Sequence, residues 1–299
     1  MSDDALNPDE ADIEASRAPL MDHLIELRMR LIWCVAAFMV AFLICFYFAE
    51  PIYLFLIHPF SVAGDLLAAQ KASGGKHGPF DLLLALLNLK HVPHSGEHPI
   101  GLIYTAPLDF FFAKLKLAGF GAIVVSFPVI AYQLYRFIAP GLYRRERNAF
   151  LPFLFASPIL FLMGAALVYY VMLPFVMWFS LSQQISAPGV TVSLLPKVDE
   201  YLKLVTTLLL AFGLCFQLPV VLSLLGMSGI VKSDMLKSGR RFAVVGIAIV
   251  AAIVTPPDPI SMMMLCVPIV LLYEISIWCV RLIELRRPKD EDVAPEGVL

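Results

Sequence analysis

The sequence predicts an all-α polytopic membrane protein that crosses the bilayer six times, with both termini on the cytoplasmic side. Three observations carry this. Of the 299 residues 60% are hydrophobic and only 15% charged, with a mean hydropathy of +0.81, whereas a soluble domain is about 45–50% apolar and about 25% charged. The apolar excess is laid out in runs of membrane-spanning length. The bases are segregated: fifteen of the 22 Lys/Arg fall in the N-terminal segment, in two short loops and just after the last run. Short Lys/Arg-rich loops stay in the cytoplasm, because moving them across the bilayer is disfavoured during insertion. The net charge of −2 says little, since the acids crowd the two tails while the bases collect beside the spans.

Residues 1–18 are acidic and polar and read as a solvated, disordered tail rather than a secretory signal, which wants a basic start and a short apolar core. Pro19–Arg30 follows, with Leu20, Leu24, Leu27 and Leu31 at helical spacing and Glu26 and Arg30 on another face. It predicts an amphipathic helix on the membrane surface, feeding into the first span. That span, 31–49, is uncharged and covers roughly 28 Å at 1.5 Å per residue. Glu50-Pro51 ends it. The external segment that follows is long: IYLFLIHPF is expected to fold back onto the membrane, and 61–101 is an inserted loop rich in Gly and His. Its apolar run Phe80–Leu89 is too short to span.

The second span, 109–138, contains Pro128, which removes a backbone donor and predicts a kink. The loop RFIAPGLYRRER, Arg136–Arg147, then packs Arg136, Arg144, Arg145 and Arg147 around Glu146. It fixes the topology and sets a carboxylate at the inner membrane surface beside an Ala-Pro-Gly turn. The third span, 150–180, carries Pro152, Pro158 and Pro174, so bends are expected. The stretch PGVTVSLLPKVDEY predicts a turn and a short helix start. The fourth span, 204–225, carries Gln217 and Pro219, and Lys232, Lys237, Arg240 and Arg241 mark the second cytoplasmic loop. The last two helices, 242–254 and 260–280, are short. A helix of about 13 residues reaches only about 20 Å, so the fifth must thin the bilayer or shelter against neighbours. Residues 286–299 form a polar tail. Local weakening of the membrane suits passage of something large better than a tight small-ion pore.

The five cysteines all lie inside apolar runs and read as buried hydrophobes. His77, His91, His94 and His98 lack zinc-finger spacing and a nearby cysteine, so they are read as a polar loop, with no metal and no cofactor expected. The GMSG stretch at Gly226–Gly229 suggests an intramembrane serine protease, but all six histidines precede Ser228, leaving no base in a later span. No catalytic residue is assigned and no enzyme activity is expected. A nucleotide-driven pump is excluded by the lack of a phosphate-loop motif. A small-solute secondary transporter remains the alternative, although no internal repeat supports it.

Four motifs carry a resemblance: HLIELRMRL (His23–Leu31), FPVIAYQLYRFIAPGLYRRER (Phe127–Arg147), FGLCFQLPV (Phe212–Val220) and TPPDP (Thr255–Pro259). Together, in order over roughly residues 20–285, they resemble the TatC family, the core membrane subunit of the twin-arginine protein translocase. The resemblance implies a six-span fold with a concave face, in the bacterial cytoplasmic (inner) membrane. It implies a homo-oligomer that works in a larger complex with TatA/TatB-type single-span subunits and the proton-motive force, and binds no nucleic acid. It implies recognition of folded cargo through a signal peptide with two consecutive arginines. Two guanidiniums want planar bidentate acceptors, and two separately anchored carboxylates supply them. By resemblance Glu26 and Glu146 are the signal-peptide site, with Arg28, Phe137 and Arg145 beside them. Many members carry Glu where this chain has Gln217; partner-helix docking with Thr255 and a helix–helix hydrogen bond are both open for it. Glu274 is expected near the cytoplasmic interface or paired. Asp258 is expected to cap the last span at the external hairpin.

Overall fold

The computed structural model describes residues 8–73, 102–138, 151–183, 185–187, 190–192, 196–255 and 259–286. The histidine-rich loop, the arginine loop from residue 139 on with Arg145 and Glu146, and Asp258 lie outside the described residues. Apart from one small hairpin the described chain is helical.

Helix α1 (Pro8–Tyr47) is a single uninterrupted element. It begins inside the acidic segment expected to be disordered. The segment expected as a separate surface helix is therefore the extension of the first span. Helix α2 (Ala49–Ser73) follows after one residue and buries Leu56, Phe60 and Ala63.

Pro59 shapes α2. A proline inside a helix leaves the carbonyl four residues earlier without its donor, here that of Phe55. The hydroxyl of Tyr169 donates to that carbonyl at 2.8 Å, and the hydroxyl of Tyr201 donates to the carbonyl of Leu56 at 2.7 Å. The Phe55 ring stacks on Tyr169 with centroids 4.4 Å apart. Two tyrosines from the body thus hold α2 at its kink.

Helix α3 (Asp109–Ile138) contains Pro128. Its start is fixed by Asp109, whose carboxylate accepts the N–H groups of Thr105 and Ala106 at 3.1 and 2.8 Å. The third span is α4 (Leu151–Leu167), one π turn at Val168–Met172 and α5 (Leu173–Ser182). In the π turn the Leu173 N–H reaches back five residues to Val168. Pro174, next in the chain, cannot donate, so the ladder widens where the proline ring has to be accommodated.

Strands β1 (Ile185–Ala187) and β2 (Val190–Val192) form an antiparallel hairpin, where the sequence reading expected only a turn. Helix α6 (Val198–Cys215) starts on a bridge to Ile103, whose carbonyl accepts the Val198 N–H at 2.9 Å. A break at Phe216–Gln217 leads into α7 (Leu218–Met227). That helix ends on Gly229 at φ 74°, with the Ile230 N–H bonded to the Leu225 carbonyl at 3.1 Å. This is a left-handed glycine cap. The Ser228 hydroxyl donates to Leu225 as part of it, so GMSG ends a helix.

Helices α8 (Ser233–Ser238), α9 (Arg240–Val254) and α10 (Pro259–Arg286) complete the described chain. Among the described residues five helical stretches are long and apolar enough to cross a membrane: Leu24–Tyr47, Asp109–Phe137, Phe153–Met177, Val198–Met227 and Met262–Leu285. The chain is a multi-pass helical membrane protein. Helix α9, at 15 residues, falls below that length, whereas α10 runs for 28 residues and is not the short final helix expected. The charges Arg281 and Glu284, which lie within it, hid its true length.

The main core gathers α2, α3, the π turn, α5, α6 and α10 around Phe60, Leu117, Leu173, Leu208, Phe212, Leu265 and Ile277. A second cluster joins Ala131 and Tyr135 of α3 to Val220, Leu224 and Met227 of α7.

Candidate functional site

Helix α1 lies along α3, close enough that a Cβ on Gly121 would sit 2.9 Å from the Cys45 sulfur. Nearer the start of α1 the two helices line a cavity of 470 Å³ with Glu26, Met29, Arg30, Trp33, Gln133 and Arg136. Glu26, Arg30 and Trp33 stand at i, i+4 and i+7, one stripe of a helix. Gln133 and Arg136 face them from the last turns of α3, immediately before the arginine loop.

Glu26 is ion-paired. Its Oε1 accepts from Arg30 Nε at 3.1 Å and from Arg30 Nη2. Arg30 Nη1 donates to the Gln133 carbonyl at 3.4 Å, bridging to α3. The Arg30 side chain is 14% exposed and that of Glu26 38%. The guanidinium therefore lies under the carboxylate, which faces the mouth.

The expected companions divide. Arg28 is exposed, and two residues along a helix is not a facing position. Arg30 takes the place beside the acid that the resemblance gave to Arg28. Phe137 is half-buried, one residue past Arg136, and does not line the cavity. Arg145 and Glu146 lie outside the described residues.

Gln217 sits at the break between α6 and α7. Its Nε2 donates to the Ser157 carbonyl at 2.8 Å, and its Oε1 accepts from the Ser157 hydroxyl at 2.7 Å. Ser157 also hydrogen-bonds the Tyr135 side chain. Three spans are tied at one polar point, so the helix–helix hydrogen bond is the role the geometry gives Gln217. Thr255 is buried, its hydroxyl donating to the Ala251 carbonyl at 2.8 Å. Glu274 accepts from Arg240 Nη2 at 2.7 Å, so the paired alternative holds. None of these bonds joins Gln217, Thr255 and Glu274 to one another.

Sequence reasoning missed Arg30, Ser157, Tyr135 and Glu284. Glu284 accepts the Ser233 N–H at 2.7 Å and the Ser233 hydroxyl, fixing the start of α8. The i,i+4 spacing of Glu26 and Arg30 was the one available signal. Among the described residues no group of three or more His, Cys, Asp or Glu side chains could hold a metal.

Residues 22–268 match the family model described as Sec-independent protein translocase protein (TatC). The Sec-independent protein translocase protein TatC of Magnetococcus marinus is 40% identical over 280 residues, covering 94% of this chain and 90% of that one. The Rickettsia prowazekii protein of the same name is 39% identical over 266 residues, covering 89% and 94%. A solved structure described as the twin arginine translocase receptor TatC superposes with a TM-score of 0.66 at 31% identity, covering 88% of this chain and 99% of that one.

Proposed function

The chain belongs to the TatC family, and from that premise we propose that it is the receptor subunit of a twin-arginine translocase, gripping the paired arginines of a cargo signal peptide between Glu26 and Glu146. What supports this reading is the cavity at the α1–α3 crossing. It holds Glu26 at its mouth, and α3, which forms its other wall, runs straight on into the segment that carries Glu146. A carboxylate that already bonds a guanidinium through two nitrogens has the chemistry an arginine tag needs. Two such groups on separate elements read two adjacent guanidiniums where one could not.

In this reading all six helical passes cross the membrane, α9 sheltering against α10, with both termini and the arginine loop in the cytoplasm. The apolar part of the signal follows the concave face, and single-span subunits dock at the edge formed by α9. The proton-motive force drives export across the bacterial inner membrane. Phe137 and Arg145 lie beside the bound arginines, and Asp258 caps the outer hairpin.

The test is a binding titration of the purified full-length protein in nanodiscs with a labelled twin-arginine peptide. Glu26→Gln or Glu146→Gln alone weakens binding about tenfold, and the pair together takes it below detection. Replacing both peptide arginines by lysine weakens binding to the unaltered protein. Equal affinity for the lysine peptide, or full binding by the double variant, would sink the proposal.

A further inference from the structure

Resting on that reading of Glu26, we propose that Arg30 is a resident competitor for the cargo's arginines: it occupies Glu26 until cargo arrives and thereby raises the affinity a tag must bring to the site. The geometry is specific. Two nitrogens of Arg30 bond one oxygen of Glu26, and the third bonds the Gln133 carbonyl of α3. All three guanidinium nitrogens are used, and the group is more buried than the carboxylate it holds. The site therefore already carries within the chain the contact that an incoming arginine would make.

Charge makes an exchange necessary. Among the described residues the cavity holds one acid, Glu26, against Arg30 and Arg136. With Arg30 on Glu26, a doubly cationic tag approaches a wall with no charge to spare. If Arg30 gives up Glu26 and keeps its bond to Gln133, the carboxylate passes to the cargo. An arginine replaces the lost contact like for like, since it brings the same planar fork of donors. A lysine brings a compact, strongly hydrated ammonium that cannot reproduce the two-nitrogen contact, so it displaces Arg30 poorly. Arg30 thus acts through Glu26 as a positioning residue and raises the threshold any ligand must pass.

The experiment compares the full-length protein with Arg30→Gln and Arg30→Lys variants, each alone and combined with Glu26→Gln. Binding is measured to two peptides that differ only in carrying Arg-Arg or Lys-Lys. Removing the competitor in Arg30→Gln should tighten Arg-Arg binding about two- to fivefold. Lys-Lys binding should tighten by the same factor, because an internal competitor lowers every ligand's apparent affinity alike, so the ratio between the peptides holds. Arg30→Lys, which keeps the charge and the fold but loses the fork, should move both affinities the same way by less. In the Glu26→Gln background the Arg30 changes should do nothing, because the group through which they act is gone. Unchanged or weaker Arg-Arg binding in Arg30→Gln and Arg30→Lys, or a gain confined to one of the two peptides, overturns the competitor. Full binding by the Glu26→Gln/Glu146→Gln protein overturns the site itself, whatever Arg30 does, so the two failures are distinguishable.

Discussion

Where α4 crosses α6, the helices meet through small residues and rings. A Cβ on Gly213 would fall 2.5 Å from the Phe161 ring, and one on Gly164 would fall 2.8 Å from the Phe212 carbonyl. Where α1 lies along α3 the contact is one-sided: only 11% of the Leu24–Tyr47 stretch is buried, against 56% of Val198–Met227. That contact is close at Gly121 and Cys45, and its other end carries the ion pair of Glu26 and Arg30 and the cavity. The first crossing excludes any change of shape, because helices in lipid associate through close packing rather than hydrophobic drive. The second tolerates exchange of partners, because its charged groups keep one side toward the mouth. Rigidity in the inner spans is what lets the outer edge present a carboxylate in a fixed place without burying it.

The largest effect that could break this contrast is overpacking of the tight crossing. Gly213→Ala pushes a methyl into the Phe161 ring, which is itself buried and has nowhere to turn. It should cost about 1–3 kcal/mol, read as a lower melting temperature in detergent, and Phe161→Leu in the same chain should recover part of it. Gly119→Ala is the control: nothing lies within 4 Å of its Cβ, so the better helix former should be neutral or mildly stabilising. If both alanines cost the same, the close approach is not what holds α4 to α6.

Next in size come the polar points that close the breaks in the spans. Tyr169→Phe leaves the Phe55 carbonyl, already deprived of a donor by Pro59, without its hydroxyl partner. A loss of about 1 kcal/mol is expected, together with faster hydrogen exchange along α2. Gln217→Leu unties Ser157 and should cost about 0.6 kcal/mol, the usual worth of such bonds between membrane helices. Both are folding effects. Twin-arginine peptide affinity per folded molecule should hardly move, whereas changes at Glu26 should alter affinity with little effect on melting. A loss of affinity in Gln217→Leu as large as in Glu26→Gln would erase the division between scaffold and site.

What could be read from the residues alone followed the same division. The apolar, helical character of the spans, the proline positions and the motif carrying Glu26 depend on local composition and spacing, and the sequence exposes those. Bonds between remote elements left no such trace. Nothing around Ser157 announces that Gln217, sixty positions on, will share both its polar groups. The tyrosines that cap the α2 kink lie 114 and 145 residues from it. Arg30 was visible as a neighbour of Glu26 on one helical face, but the carbonyl of Gln133 that fixes its third nitrogen comes from α3. The length of α10 was misread for a related reason. Arg281 and Glu284 look like charges beyond the span until Glu284 is seen to bond Ser233 across the chain.

The smallest expected effect sharpens the contrast within a single six-residue helix. On its inner side α8 is fixed by Glu284 at Ser233 and by the Tyr273 hydroxyl, which donates to the Leu236 carbonyl at 2.8 Å. On its outer side the exposed Asp234 accepts from the half-buried Lys237 at 2.9 Å. That bond and the charge of Lys237 hold the Asp234 carboxyl below its ordinary range. A depressed folded-state pKa means that the pair's contribution is complete above the unfolded value of about 4. It is lost only as pH falls through the lower folded one. Melting temperature near neutral pH should therefore be indifferent to Lys237→Gln, an exposed pair being worth little. The titration midpoint of Asp234, followed by carboxyl-carbon NMR, should rise toward the ordinary value in that variant. Ser233→Ala, which touches the inner side, should instead loosen α8 at every pH. If Lys237→Gln destabilised the helix as much as Ser233→Ala, the outer pair would be structural and the line between fixed interior and exchangeable edge would have been drawn in the wrong place.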